Sequence, residues 1–410
     1  MSRHPSAAGV IAALASITLI GPLSIHIFLP LMPEVKRAFG IPDSLVGLAY
    51  SISLLSFASA TLVYGTLSDR HGRRPVLLAG LALFCAGSAV TAIAGSIEVL
   101  LAGRVLQAFG AGCGVTLARA IARDTFGTES LVKVVAYLTM AATLGPMLTP
   151  LLGGVLCDAF GWRSVFWVCL YTGATLITAV YFVLRETRPA ADLAHQAPQL
   201  WRNYAALCSQ PRFCAFVLNT GFASGTFMCI ATASAFLMQD YLGRSATEFG
   251  LYFLMMPAGF VFGNLVSSRL AGRLPVETMV LAGSIMQAAM VAILSALIMA
   301  GWLTPLTLFV PGALSTFAQG LSIPNAQVGA IRVNAHLAGT AAGIGVFTQF
   351  FVGAVFSQVY VLVADGTPLP LVFTASLSVA LAVLTGMIPY AIKARGGEPQ
   401  AGAGRDPEER

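Results

Sequence analysis

The sequence predicts an all-α membrane protein of twelve transmembrane helices in two six-helix halves, with both termini cytoplasmic. Three observations carry that fold class. Of the 410 residues, 57% are hydrophobic and only 10% charged, against roughly 25% charged in an average soluble domain; mean hydropathy is +0.81. The apolar residues gather into twelve runs, each near the roughly 20 residues that a helix needs to cross about 30 Å of hydrocarbon. The basic residues fall almost entirely on one side of those runs. Lipid gives the backbone no hydrogen-bond partners, so a span must be a helix or part of a closed barrel. The absence of short alternating segments rejects the barrel.

The first run, about 7–30, follows a short polar start carrying Arg3 and no small-residue cleavage pattern, so it reads as a retained span. The second, 45–66, leads into the turn Tyr64–Pro75, where Asp69 stands among Arg70, His71, Arg73 and Arg74. So dense a cluster of charge must lie at a membrane surface. The third run is 76–95, and those at 98–121, 132–156 and 164–184 complete a first set of six. The connection from about Arg185 to Arg212, the longest in the chain, carries Pro189, Pro198 and Pro211 and is expected to be a plain linker rather than a short interfacial helix at Trp201–Leu207. Runs at 213–238, 247–269, 276–300, 304–328, 336–362 and 370–392 form the second set, and Gly396–Arg410, rich in Gly, Pro and charge, is expected to be a disordered cytoplasmic tail. The resulting division is a first bundle at 1–190, a cytoplasmic linker at 191–212, a second bundle at 213–394 and a tail at 395–410.

Orientation follows from charge. With both termini inside, the outer side holds only Lys36, Arg37, Arg163 and Arg244 of the 23 Lys and Arg, Arg104 lies within a span, and all the others are cytoplasmic. The net charge of +6 is thereby explained by topology, and no nucleic-acid partner is expected. Seven cysteines are scattered singly, with no CxxC and no Cys/His set, so they read as small buried side chains. Neither a metal nor a cofactor is expected. With no nucleotide loop or nucleophile constellation, the chain does not read as an enzyme. A receptor or sensor is disfavoured by the lack of a soluble signalling domain.

The halves look related. Gly65–Arg73 after the second run has a worn counterpart, Gly263–Arg273, after the eighth, roughly 200 residues later. Such an offset of half a chain fits parallel duplicated transporter halves. The copy carries Ser267 where the first carries Asp69.

The pattern Gly65-x-x-x-Asp69-Arg70-x-Gly72-Arg73-Arg74 resembles the loop signature of the major facilitator superfamily, and the twelve-span, two-half layout agrees. Arg104-Val-Leu-Gln107-Ala-Phe-Gly110, Ala118-Arg-Ala-Ile-Ala-Arg-Asp124 and Leu144-Gly145-Pro146-Met-Leu-Thr-Pro150-Leu-Leu-Gly153-Gly154 are similar to stretches of its drug/proton antiporters, specifically the Bcr/CflA drug-efflux group. The likeness covers the first half well and the second mainly by topology. It implies the major facilitator fold, a cytoplasmic latch between halves formed by Gly65, Asp69, Arg70, Gly72, Arg73 and Arg74, and a part in proton coupling for Arg104. The residues also allow plainer readings. The turn can serve as a topology anchor, and Arg104, costing about 2.5 to 3.5 kcal/mol within a span, must face a partner or a wet cavity or else snorkel outward. Gly145, Pro146, Pro150, Gly153 and Gly154 are expected to bend the fifth span and thin it for close packing, as the antiporter motif implies.

One position departs from that group. Its members usually carry an acid in the first span, where this chain reads Ser24-Ile-His26-Ile-Phe28-Leu-Pro30, and no Asp or Glu lies well inside any run. His26 can carry a proton in the acid's place, since imidazole titrates near neutrality; the alternative is a hydrogen-bonded structural histidine. Phe28, Tyr50, Gln107, Met140, Asn219, Phe222, Tyr252 and Met255 are candidate cavity groups, with Phe227, Met228 and Met256 beside them, giving an adaptable apolar surface. The expected function is proton-coupled efflux of amphipathic drug-like compounds by alternating access in the cytoplasmic membrane. The partners expected are a small-molecule substrate, protons and the lipid bilayer, with the protein a monomer. The alternative is a major facilitator carrier for a small metabolite, an amino acid or organic acid, not necessarily proton-coupled.

Overall fold

A computed structural model describes residues 7–126, 128–187 and 200–394. The tail at 395–410 and the linker stretch up to 199 lie outside the described residues. The chain is a multi-pass helical bundle. Twelve segments are long and apolar enough to cross a membrane: Ala7–Phe39, Asp43–His71, Arg73–Ala92, Ile97–Thr125, Lys133–Phe160, Trp162–Val183, Pro211–Tyr241, Ala246–Leu270, Val276–Met299, Pro305–Val333, Ala338–Val363 and Leu369–Ala394, spans one to twelve in order. They alternate in direction. One face, the basic face, therefore carries the Gly65–Arg74 turn and Lys393; the far face carries Lys36, Asp158 and Arg244.

Prolines set the local breaks. Pro22 has no N–H for the Thr18 carbonyl, and Pro30 none for that of His26, so span one is assembled from Ala7–Thr18, Ile20–His26, a 3₁₀ turn at Leu29–Leu31 and Met32–Phe39. It runs nine residues beyond its expected end at residue 30 and stops at Gly40, whose φ of +63° suits glycine. Pro257 likewise has no N–H for the Phe253 carbonyl, and span eight divides into Ala246–Phe253 and Met255–Leu270. Span seven closes on a π-turn at Leu237–Tyr241. The helix Thr128–Phe160, in contrast, continues unbroken through Pro146 and Pro150. Leu200–Cys208 is a helix where plain linker was expected; it places Leu207 in a small apolar cluster with Phe213, Phe216 and Val280, and that burial favours the helix.

Small residues let the spans approach closely, as expected where lipid gives no hydrophobic drive for helix pairing. A Cβ at Gly110 would collide with the backbone of Phe84 in span three, and one at Gly263 with the Phe317 carbonyl in span ten.

Candidate functional site

The Gly65–Arg74 turn is held within the first half by a ring of acids. Gly72, at φ +93°, turns the chain between spans two and three. The Arg73 guanidinium donates to Asp69 at 2.9 Å, to Asp124 at 3.0 Å and to the Ser68 hydroxyl at 2.6 Å. The backbone N–H groups of Arg73 and Arg74 donate to the two carboxylate oxygens of Glu186, at 2.9 and 3.0 Å. Glu186 thus caps span three from the end of span six, satisfying orphan donors where the helix dipole favours an anion. Arg74 also donates to the Tyr181 carbonyl at 2.8 Å, while Arg70 is exposed. The second half repeats the arrangement with its signs reversed. Glu277, at the start of span nine, accepts from Lys393 at the end of span twelve at 3.3 Å and from Arg212 at 2.5 Å. Ser267, standing where the first half has Asp69, accepts from Asn325 at 2.8 Å.

Arg104 is wholly buried, so it does not snorkel. Its guanidinium donates to the Ser24 carbonyl of span one at 2.9 Å and to Gln107 Oε1 at 2.5 Å, and lies 4.6 Å from the Phe28 ring centroid. Gln107 passes the chain on to Ser88 of span three at 3.0 Å. No carboxylate pairs with Arg104 among the described residues, and its Nε and Nη2 have no hydrogen-bond partner. The cation is instead accommodated by carbonyl, carboxamide and aromatic faces.

Two residues beyond Ser24, His26 faces the interface between the halves. It is 4% exposed, its Nδ1 has no hydrogen-bond partner, and its ring lies 6.2 Å from that of Phe227 in span seven. The ring borders a cavity of about 340 Å³ between the halves, which runs toward the basic face as far as Arg119 and Gln327. Phe227, Met228, Met256 and Pro146 line it as well. A shallower hollow of about 360 Å³ near Val10, Ile121 and Val183 lies outside the interface between the halves.

On the far side of His26 the halves are in contact. Lys36 bridges Asp43 at 2.6 Å and Asp240 of span seven at 3.0 Å. Gln239 donates to the Pro30 carbonyl at 2.9 Å, and Gln358 to the Ser44 carbonyl at 3.3 Å. Asp158 at the end of span five caps span eight, accepting from the N–H of Thr247 at 2.7 Å and of Ala246 at 3.3 Å. The glycines expected to thin span five do so against specific partners. A Cβ at Gly153 would sit 2.6 Å from the Ile27 carbonyl oxygen and one at Gly145 2.9 Å from Pro22 Cγ, both in the broken first span; one at Gly154 would overlap the Ala246 carbonyl of the other half.

The remaining cavity candidates lie elsewhere. Asn219 is buried and turned between helices, donating to Ser284 at 2.9 Å and to the Ala382 carbonyl at 2.7 Å, so it ties span seven to spans nine and twelve. Phe28 packs under Arg104 and Gln107 bonds to it. Tyr50 donates to the Met228 sulfur at 3.1 Å, just behind the cavity wall. Tyr252 stacks on Phe309 at 5.8 Å, Phe222 meets Phe356 edge-on at 6.1 Å, Met255 packs on the core and Met140 is 61% exposed. Sequence reasoning missed Gln319, Gln327 and Gln349, which all border the cavity. Carboxamides inside apolar runs are costly unless they serve a polar site, and that signal was available.

Two six-helix halves closed on one face around a central cavity define a membrane carrier. The family model described as Major Facilitator Superfamily matches residues 14–357, and the chain belongs to that superfamily. It is 26% identical over 356 residues to "Uncharacterized MFS-type transporter YdgK" of Bacillus subtilis (strain 168), covering 84% of this chain and 86% of that one. It is 31% identical over 234 residues to "Multidrug resistance protein MdtL" of Escherichia coli (strain K12), a match spanning 57% of this chain and 59% of that protein. Solved structures with the same fold include a D-xylose-proton symporter, with a TM-score of 0.76 at 14% identity over 93% of this chain and 97% of that one. The POT family transporter PepTSo gives 0.76 at 15% identity over 97% and 99%.

Proposed function

We propose that this protein is a secondary active exporter of amphipathic, drug-like compounds, of the Bcr/CflA type, working in the cytoplasmic membrane as a monomer and driven by inward proton flow. The observation that carries this reading is the cavity at His26, sealed toward the far face and running toward the basic face, between halves of a superfamily carrier. The likeness to a multidrug resistance protein over part of the chain supports the direction of transport. In this reading the bundles 1–190 and 213–394 rock about the cavity, the basic face is cytoplasmic, and the structure is the inward-open state. His26 binds the proton, and Arg104 takes part in the coupling through its hold on the Ser24 carbonyl of the same segment. Cells carrying the protein are expected to show raised resistance to a set of amphipathic compounds. Purified His26→Gln should bind those compounds yet release no proton on binding; unchanged proton release would remove His26 from the coupling.

The turn at Asp69 is the latch for the opposite state. Here Arg73 draws Asp69, Asp124 and Ser68 together on the first half. When the basic face closes, Asp69 reaches the second half. Asp69→Asn is expected to insert normally and to lower the transport rate by about tenfold, a 1.4 kcal/mol loss in the closed state. Full-rate transport by that variant would return the turn to a topology anchor.

A further inference from the structure

The cavity has an electrostatic character that the class of carrier does not dictate. No carboxylate lines it among the described residues. Its charged and titratable groups are Arg119, exposed toward the basic face, and His26. Behind its wall lies a further cation, Arg104, fixed by the Ser24 carbonyl two residues from His26 and without a carboxylate partner among the described residues. The cavity's buried polar atoms add no negative charge. Ser224 and His26, 2% and 4% exposed, line it, and the Ser224 hydroxyl and His26 Nδ1 are buried with no hydrogen-bond partner. The Gln319 amide, by contrast, is already committed to the Ala223 carbonyl. Around these groups the wall is aromatic and thioether: Phe57, Phe227, Phe350, Met228 and Met256.

An organic cation entering this space would shed water, meet no anion and approach two fixed or titratable positive groups; like charges brought together out of water are strongly unfavourable. A neutral or anionic polar end meets the reverse, an arginine, Arg119, able to donate to an acceptor oxygen. We infer that the cavity selects amphipathic molecules carrying an acceptor oxygen and no positive charge, and rejects lipophilic cations. This rests on the transport reading above, with the same cavity as the substrate site.

Three dansyl probes share one fluorophore and differ in charge: dansylglycine is an anion, dansylamide is neutral and dansylcadaverine is a cation. Displaceable binding to the purified full-length protein is followed by dansyl emission. Dansylglycine and dansylamide are expected to bind at least about tenfold more tightly than dansylcadaverine. Arg119→Gln should weaken dansylglycine several-fold relative to dansylamide, and Ser224→Asp, which supplies the missing carboxylate, should move the preference toward dansylcadaverine. Wild-type protein binding dansylcadaverine as tightly as the other two would overturn the inference on charge while leaving the cavity as a substrate site. Failure of all three probes to bind would remove the cavity itself, and the exporter reading with it. Arg119→Gln acting equally on all three would also overturn the inference, since a merely structural arginine has no reason to distinguish them.

Discussion

Replacing Arg104 with Met is expected to cut transport at least about tenfold while leaving the bundle about as stable as before. The guanidinium is wholly buried, with no carboxylate partner among the described residues and with two of its nitrogens unpaired, so its burial carries a desolvation cost. Exchanging buried ionic groups for apolar side chains of similar volume is often neutral or stabilising by about 1–4 kcal/mol. Against that stands the loss of donors to the Ser24 carbonyl and Gln107 Oε1, about 1–3 kcal/mol for each acceptor left without a partner. The two effects are of similar size, so the thermal midpoint of the purified protein should change little. Transport should fall. Arg104 links span four to the segment of span one that carries His26, and among the described residues that segment shows no other side-chain hydrogen bond to the helices behind. Uptake of dansylamide into inverted vesicles is expected to fall at least about tenfold, with Arg104→Lys only partly restoring it because an ammonium lacks the planar fork. Transport and stability falling together would make Arg104 a structural residue; unchanged uptake by Arg104→Met would exclude it from the mechanism.

The sequence made the fold and the special positions visible, but not the partners. Twelve apolar runs and one-sided basic residues sufficed for the spans, because desolvation of charge acts residue by residue and needs no knowledge of neighbours. The same logic singled out Arg104 and His26, each conspicuous within an apolar run. Partners were hidden because they are distant in the chain. Arg73 and Glu186 are 113 residues apart, and Lys36 and Asp240 are 204. Nothing local distinguishes Glu186 as the cap of a helix that begins so far upstream. Asn219 shows the converse error. The cavity reading of a polar group in a span fails at Asn219, whose amide nitrogen, buried between helices, donates instead to Ser284 and a backbone carbonyl. Polarity within an apolar run says that a partner exists; only packing says whether the partner is protein or cargo. The glycines of span five were legible as small for the same reason that their contacts were not.

Those glycines carry the second large prediction, because Gly154 is where span five meets the other half. A Cβ there would overlap the Ala246 carbonyl and come within 2.9 Å of the Thr247 nitrogen. Gly250, across the same crossing, would bring a Cβ within 2.5 Å of Leu151 Cα. The Asp158 cap on Ala246 and Thr247 lies one turn further on, so the crossing and the cap close together or not at all. Gly154→Leu is expected to hold them apart. Overpacking costs about 1–3 kcal/mol, and here it falls only on the state whose far face is closed, shifting the equilibrium roughly 5- to 150-fold toward the opposite state. Transport should be lost, since a carrier confined to one state cannot alternate. The far face should open, which Val361→Cys reports: Val361 is 2% exposed and packed where a Cβ on Gly47 would sit 2.6 Å from it, at the crossing of spans two and eleven. An impermeant maleimide should label that cysteine at least about tenfold faster in Gly154→Leu than in the parent, read by mass at that position. Gly154→Ala, which adds only the Cβ and disturbs folding least, should fall between the two in both rate of labelling and transport. If both variants transport at the parental rate with Val361→Cys still protected, the span five to span eight crossing is not the closure of the far face.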